Sequence, residues 1–271
     1  TITDGDLSPA AFNTTLGGGL NFTHATNGSW DRTGGGTLTF DGTGTWTDAG
    51  TTKRDIGTIT IDGAAITLTL GSSVKASVIT IALGDTLSLA SSGYTLVIDG
   101  DGATQTVLTV TGTLTPGTST VRYSAVNSGG NVNVTTTTYN SLQFSPASAE
   151  NYDLTGNLTV SNALTGSLTI GDNATLDVVN GSNYGITLAG DWSNSGLFSE
   201  RNGTVTFNST TQQIITTGGG GAGRYFYALT LNNTGTDGTA NDDIVISGDL
   251  NIDGTFTITD GQLRLDTNNP N

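Results

Sequence analysis

The 271-residue sequence has no cysteine and no methionine, and it contains only 8 lysine and arginine residues in total. Without cysteine, disulfides and thiolate metal sites are excluded. Runs of Ala, Glu, Lys and Leu with helical spacing are also missing. No segment approaches the roughly 18 apolar residues of a membrane-spanning helix. We therefore expect almost no helix and no membrane span in this chain.

Charge is scarce and mostly negative. Only 11% of the residues are charged, and the net charge is -15. Nucleic-acid binding depends on clustered Lys and Arg that neutralise phosphates, so nucleic acid is excluded as a partner. Disordered chains are usually rich in charge, whereas here polar Thr, Ser and Asn accompany 34% hydrophobic residues and favour sheet. The missing methionine and signal segment suggest a processed product, and we expect an extracellular location at the cell surface.

Short alternating segments run along the whole sequence. Apolar residues alternate with Thr, Ser, Asn or Asp over about 4 to 5 residues, and Gly, Asn and Asp turns separate the segments. This pattern predicts an all-β fold, a parallel β-helix or β-solenoid of eight or nine coils with three strands each. The alternative is an array of three immunoglobulin-like sandwiches, although the usual core markers of those modules are missing.

The strand pattern returns after about 84 residues. The segment TLTF at 37–40 reappears as TVRY at 120–123 and as TVTF at 204–207. This spacing predicts cassettes at 20–103, 104–187 and 188–271 within one continuous solenoid. Residues 1–19 fall outside the repeat and are predicted to be a cap or a strand donated to a neighbour, with Thr1, Ile2 and Leu7 as an assembly segment. The predicted repeat core consists of Leu38, Phe40, Val121, Tyr123, Val205 and Phe207.

Two groups of residues are candidates for ligand binding. Asp99 and Asp101 alternate with glycine, and their carboxylates could hold calcium. The lesser candidates are Asp4 with Asp6, and Asp242 with Asp243. The other interpretation is that Asp-Gly pairs form ordinary tight turns. Tyr225 and Tyr227 could stack on sugars, and they could equally pack on the face of the sheet. Calcium is the only cofactor that the sequence suggests.

Catalytic groups are few. The chain has two glutamates, Glu150 and Glu200, and a single histidine, His24. The glutamates are 50 residues apart and lie outside the alternating strands, so they do not indicate a carboxylate pair for acid and base catalysis. No second histidine and no cysteine is present to complete a nucleophilic triad around His24. We predict that the chain is not an enzyme.

The segment FSERNGTVTFNSTTQQII at 198–215, together with FYALTLNN at 226–233, resembles the repeats of large secreted bacterial and archaeal surface proteins with parallel β-helix architecture. The resemblance implies adhesion, surface coating or filament building. The predicted function is that of a structural protein that self-assembles through its solenoid ends into a filament or an S-layer, with other copies of itself as partners. The alternatives are an adhesin that binds surface glycans and, less favoured, a polysaccharide lyase or glycosidase.

Overall fold

The computed structural model of the chain describes residues 5–7, 12–22, 28–30, 35–161 and 166–265. The chain forms two compact units, Thr1–Thr135 and Thr136–Asn271. The fold is an all-β parallel β-solenoid with about 10 turns of about 24 residues. The one helix among the described residues is a 3-10 turn at Ala240–Asp242. The predicted solenoid is thus confirmed. The sandwich alternative is wrong, because the strand pairs are parallel.

In the first unit, the strands form three parallel sheets: 1A with three described strands, and 1B and 1C with five each. A separate pair joins β1 (Gly5–Leu7) to β4 (Gly28–Trp30), and β16 (Val132–Val134) is the last strand of the unit. Sheet 1A contains β9 (Val74–Ala76), β12 (Thr95–Ile98) and β15 (Thr120–Tyr123). Sheet 1B contains β2 (Thr14–Leu16), β5 (Thr37–Phe40), β7 (Thr58–Ile61), β10 (Val78–Ile81) and β13 (Leu108–Val110). Sheet 1C contains β3 (Leu20–Phe22), β6 (Gly44–Asp48), β8 (Thr67–Leu70), β11 (Thr86–Ser88) and β14 (Thr113–Thr115).

The second unit repeats this plan with sheets 2A, 2B and 2C. Sheet 2A contains β18 (Ser141–Phe144), β21 (Ser167–Ile170), β24 (Asp191–Asn194), β27 (Gln213–Thr216), β29 (Asp243–Ser247) and β31 (Gln262–Leu265). Sheet 2B contains β19 (Glu150–Leu154), β22 (Ala174–Asp177) and β25 (Leu197–Ser199). Sheet 2C contains β17 (Thr138–Tyr139), β20 (Leu158–Val160), β23 (Ile186–Leu188), β26 (Thr204–Phe207), β28 (Ala228–Asn232) and β30 (Phe256–Asp260).

Alternation along each strand produces columns of side chains across the coils. In sheet 1B, Leu38 pairs with Ile59, which pairs with Ile79, and all three are fully buried. Successive residues of a strand point to opposite faces, so Thr39 and Thr60 form the neighbouring column on the outer face. Parallel pairing in register therefore stacks like residues over like residues and makes the core continuous from coil to coil.

The six predicted core residues are all buried, with at most 1% of their surface exposed. Buried aromatic rings contact one another in the core of both units. In the first unit Phe40 lies beside Trp46, with ring centroids 6.2 Å apart. In the second unit Trp192 contacts Phe198 at 5.0 Å and Phe226 at 5.2 Å. Phe40 and Trp46 belong to sheets 1B and 1C, and Trp192 and Phe198 to sheets 2A and 2B, so each contact joins two sheets of one coil. Phe226 precedes β28 and lies in the following coil.

The interval of about 84 residues does not return the chain to the same sheet. In the first unit β5 belongs to sheet 1B, whereas β15 belongs to sheet 1A. In the second unit β18, with Leu142, lies in sheet 2A, whereas β28, with Leu229 at a similar interval along the sequence, lies in sheet 2C. The repeat that the backbone pairing follows is the coil of about 24 residues. All three faces of a coil use the same alternating pattern, so strands from different faces resemble one another in sequence.

The described part of the segment 1–19 pairs within its own chain. Leu7 in β1 lies opposite Trp30 in β4, and Leu16 in β2 lies opposite Phe40 in β5. Thr1 and Ile2 lie outside the described residues. The role of this segment as a cap or a donated strand stays a prediction.

The aromatic cluster leads to a test of the core. Trp192 is 2% exposed, and Trp192→Ala leaves a cavity between Phe198 and Phe226. We expect the free energy of unfolding to fall by about 3–5 kcal/mol, measured by urea denaturation followed by circular dichroism. The control is Leu83→Ala, because Leu83 is 85% exposed and its truncation should change stability by no more than about 0.5 kcal/mol. Equal losses for the two variants would contradict this account of the core.

Candidate functional site

The last described coil of the second unit exposes apolar side chains. Phe256 and Ile258 in β30 are 41% and 49% exposed, whereas their partners in β28, Leu229 and Leu231, are fully buried. Leu265 in β31 is 63% exposed and pairs with buried Ile246. The inward columns therefore continue to this coil, whose apolar side chains are not covered by any described coil. We call Phe256, Ile258 and Leu265 the terminal patch.

The terminal patch coincides with two sheet edges. Within the described ranges, β30 is the last strand of sheet 2C and β31 is the last strand of sheet 2A. An edge strand presents backbone N–H and C=O groups that can pair with another parallel strand. The same place thus offers apolar contact and backbone hydrogen bonds together.

The outer faces carry long rows of threonine. In sheet 2C one paired outward position of every strand is threonine, and sheet 1B repeats the arrangement. The row in sheet 2C consists of Thr138, Thr159, Thr187, Thr206, Thr230 and Thr257. The row in sheet 1B consists of Thr15, Thr39, Thr60, Thr80 and Thr109. Both rows make neutral, hydroxyl-covered strips along the solenoid.

The carboxylates of Asp99 and Asp101 interact with other residues of the chain. Asp99 forms an ion pair with Lys75. The Asp101 carboxylate accepts hydrogen bonds from the backbone N–H groups of Ala103 and Thr104, at 3.0 and 2.6 Å, and from the Thr104 hydroxyl. Partial burial works against ionisation of Asp101, but these hydrogen bonds together outweigh it and lower its pKa. The geometry favours turn formation over calcium binding at this pair.

Three buried aspartates have partners that balance their charge. Asp48 accepts hydrogen bonds from the backbone N–H groups of Gly50 and Arg54 and pairs with the Arg54 guanidinium at 2.6 Å. Asp85 accepts from two N–H groups of the preceding coil, at 2.8 and 3.0 Å. Asp243 pairs with Arg264 at 2.5 Å. Such partners offset the cost of removing a carboxylate from water.

Asp242 differs from these three. It is 2% exposed, and its Oδ2 accepts only a long hydrogen bond of 3.3 Å from the Gly238 N–H. Its Oδ1 is buried and has no hydrogen-bond partner. Among the residues that the structure describes, none with a positive charge forms an ion pair with it.

Several ion pairs join consecutive coils. The 84-residue repeat found in the sequence did not predict them. Arg201 donates two hydrogen bonds to Asp177, at 3.0 and 2.6 Å, across 24 residues of sequence. The Asp177 carboxylate raises the pKa of Arg201 through these hydrogen bonds and its charge. Lys75 and Asp99 are a second such pair. Opposite charges at an interval of one coil are the sequence signal that would have found them.

Tyr225 and Tyr227 flank the buried Phe226. Tyr227 is 37% exposed, and the Tyr225 hydroxyl donates a hydrogen bond of 3.4 Å to the Gly220 carbonyl. Phe226 points into the core, so the alternation of the chain directs both tyrosines away from it. Both predicted interpretations, sugar stacking and packing on the sheet face, are compatible with this placement.

No protein-family model, curated protein or solved structure matches this chain. Within the described ranges, no group of three or more His, Cys, Asp or Glu side chains is arranged to hold a metal ion. The described residues also include no helix long and apolar enough to cross a membrane.

Asp191 in β24 gives a prediction about pH. Burial raises the pKa of Asp191, partly offset by a hydrogen bond of 2.8 Å from the Ile214 N–H. The folded chain thus binds this proton more tightly than the unfolded chain, and stability falls as the pH rises from the ordinary Asp pKa through the raised one. Asp191→Asn keeps an acceptor for Ile214 and removes the charge. We expect a higher melting temperature at pH 7 and no gain near about pH 2, where the carboxyl is neutral in both states.

The control for this pH test is Asp41→Asn, because Asp41 is exposed and the substitution makes the same change in net charge. Melting curves followed by circular dichroism at both pH values check the prediction. A lower melting temperature of Asp191→Asn at pH 7 would show that its charge is stabilising.

Proposed function

We propose that this chain is an extracellular structural protein of a microbial cell surface that assembles end to end into a filament or surface layer. The observation that supports the proposal is the terminal patch, where Phe256, Ile258 and Leu265 are exposed at two sheet edges. In the preceding coils the same columns are buried under a following coil. The occupant that we propose for this end is the first coil of a second copy.

A second copy supplies the chemistry that the terminal patch requires. The first described coil also presents parallel strands at sheet edges, since β2 and β3 are the first strands of sheets 1B and 1C. Contact between the last coil of one copy and the first coil of the next joins unlike surfaces. Such heterologous contacts form a closed ring only if the rotation between copies adds up to a full turn. Otherwise they continue from copy to copy and build a filament.

The electrostatics oppose this assembly at low salt. Each copy carries a net charge of -15, so two copies repel one another at long range. At physiological ionic strength the Debye length is about 8 Å, and most of this repulsion is screened. Assembly should therefore strengthen as salt is added, as expected when apolar contact and backbone pairing drive it.

The variant Phe256→Lys/Ile258→Lys tests the proposal. It places two positive charges in the terminal patch and should abolish filaments or higher oligomers of the full chain. Sedimentation velocity over a wide concentration range and negative-stain electron microscopy would measure the loss. Circular dichroism of the variant checks that the solenoid remains folded.

The matched control is Leu83→Lys/Leu197→Lys. It makes the same change in charge at two other exposed apolar residues, 85% and 45% exposed, and should leave assembly intact. An unmodified chain that stays monomeric at every concentration and salt level would overturn the proposal. If both variants assembled equally, the terminal patch would not be the surface through which the chain assembles.

A second candidate function is that of an adhesin that binds surface glycans. It is favoured by the outward placement of Tyr225 and Tyr227, because tyrosine rings stack on the apolar faces of sugars. A glycan array with the native chain and with Tyr227→Ala tests this candidate. A signal for a sugar that disappears in the variant supports an adhesin, and a blank array contradicts it.

A further inference from the structure

The turn that precedes β29 is rich in oxygen ligands. Residues 234–243 lie on a coil that runs from Gln213 to its partner Ile244 and is longer than the average coil of about 24 residues. The turn has no histidine or cysteine, and most of its side chains carry oxygen. These side chains belong to Thr234, Thr236, Asp237, Thr239, Asn241, Asp242 and Asp243.

The turn closes tightly around Asp242. The Gly238 N–H donates to its Oδ2 at 3.3 Å, and the 3-10 turn Ala240–Asp242 is capped by the Thr239 hydroxyl. Gly235 lies against the same backbone, and a Cβ at this position would come within 2.3 Å of the Asn241 carbonyl oxygen. The backbone at Gly235 and at Gly238 thus lies close to the segment that carries Asp242.

Within the described part of the chain, no positive side chain balances the charge of Asp242. Asp48, Asp85 and Asp243 each have an arginine or two good N–H donors, whereas the buried Oδ1 of Asp242 has no hydrogen-bond partner. A buried carboxylate without compensation is strongly unfavourable. Arg264 is the positive side chain of the adjacent strand, and it is engaged by Asp243. A bound cation would supply the compensation that no described side chain gives.

We infer that the Asp242 carboxylate binds a calcium ion in the turn 234–243. The available donors are all oxygens, which select a hard cation over zinc or copper. Calcium accepts irregular sets of carboxylate, carbonyl and hydroxyl ligands together with water, whereas magnesium demands near-octahedral geometry. Since few carboxylates take part, the expected Kd is on the order of 10⁻⁴ to 10⁻³ M, the range of extracellular calcium modules.

The pair Asp99 and Asp101, which the sequence suggests as a calcium site, provides the contrast. Both sites contain aspartates in a glycine-rich turn, but the oxygens of Asp101 are satisfied by Ala103 and Thr104. A bound calcium at that pair would have to compete with these hydrogen bonds and with Lys75. The two sites thus differ in whether a buried carboxylate oxygen remains without a partner.

Melting curves of the full chain in EDTA and in calcium test the inference. At a calcium concentration about 100 times the Kd, the melting temperature of the native chain should rise by roughly 5–10 °C. Asp242→Asn should lose this rise and should melt in EDTA at least as high as the native chain, because the uncompensated charge is gone. The control Asp101→Asn should keep the calcium-dependent rise.

Calorimetric titration of the native chain with calcium chloride needs no variant and should give one site. Absence of heat and of a melting shift would overturn the inference. A calcium shift in Asp242→Asn equal to that of the native chain would also overturn it, and an equal shift with magnesium would overturn the choice of calcium. The inference does not depend on the proposed assembly, because these measurements are made at concentrations where sedimentation shows a single species.

Discussion

Parallel pairing in register between consecutive coils is the constraint on which the rest of the structure depends. Each coil places its residues directly over those of the coil before it, at a spacing of about 4.8 Å. A column of Leu and Ile then becomes a continuous core, as in Leu38, Ile59 and Ile79. The same rule would place like charges over one another if the outer residues were charged. Rows of threonine avoid that repulsion, and the β-branched side chain suits the pleated surface.

The same spacing explains how charge is used where it does occur. Opposite charges one coil apart lie side by side, so Arg201 reaches Asp177 and Arg264 reaches Asp243. Aspartates at the turns accept N–H groups that the sheets leave without partners, as Asp85 does for Gly63 and Ile66. Charge is therefore placed at corners and between coils, where the backbone or a neighbour balances it.

The alternation of apolar and polar residues was sufficient to predict the solenoid and its buried positions, because that period depends only on local backbone geometry. Coil length could not be read in the same way. The three faces share one pattern, so TLTF at 37–40 and TVRY at 120–123 look equivalent although they lie in sheets 1B and 1A. Partners at turns were also beyond prediction. Asp101 and Asp242 both sit near glycine in sequence, and only the fold distinguishes the satisfied carboxylate from the unsatisfied one.

An interior coil of a solenoid is stabilised by the coil before it and the coil after it. The last described coil has only one of these neighbours among the described residues. Interior coils gain apolar contact and backbone pairing above and below, whereas within the described residues β30 and β31 pair on one side only. Phe256 and Ile258 nevertheless keep the apolar character of buried Leu229 and Leu231, and no polar residue replaces them. Exposed apolar side chains at a sheet edge contribute no stability until another strand covers them, and natural edges are usually blunted by charge or proline. A surface that pairs with another coil would be expected to keep the core pattern in this way.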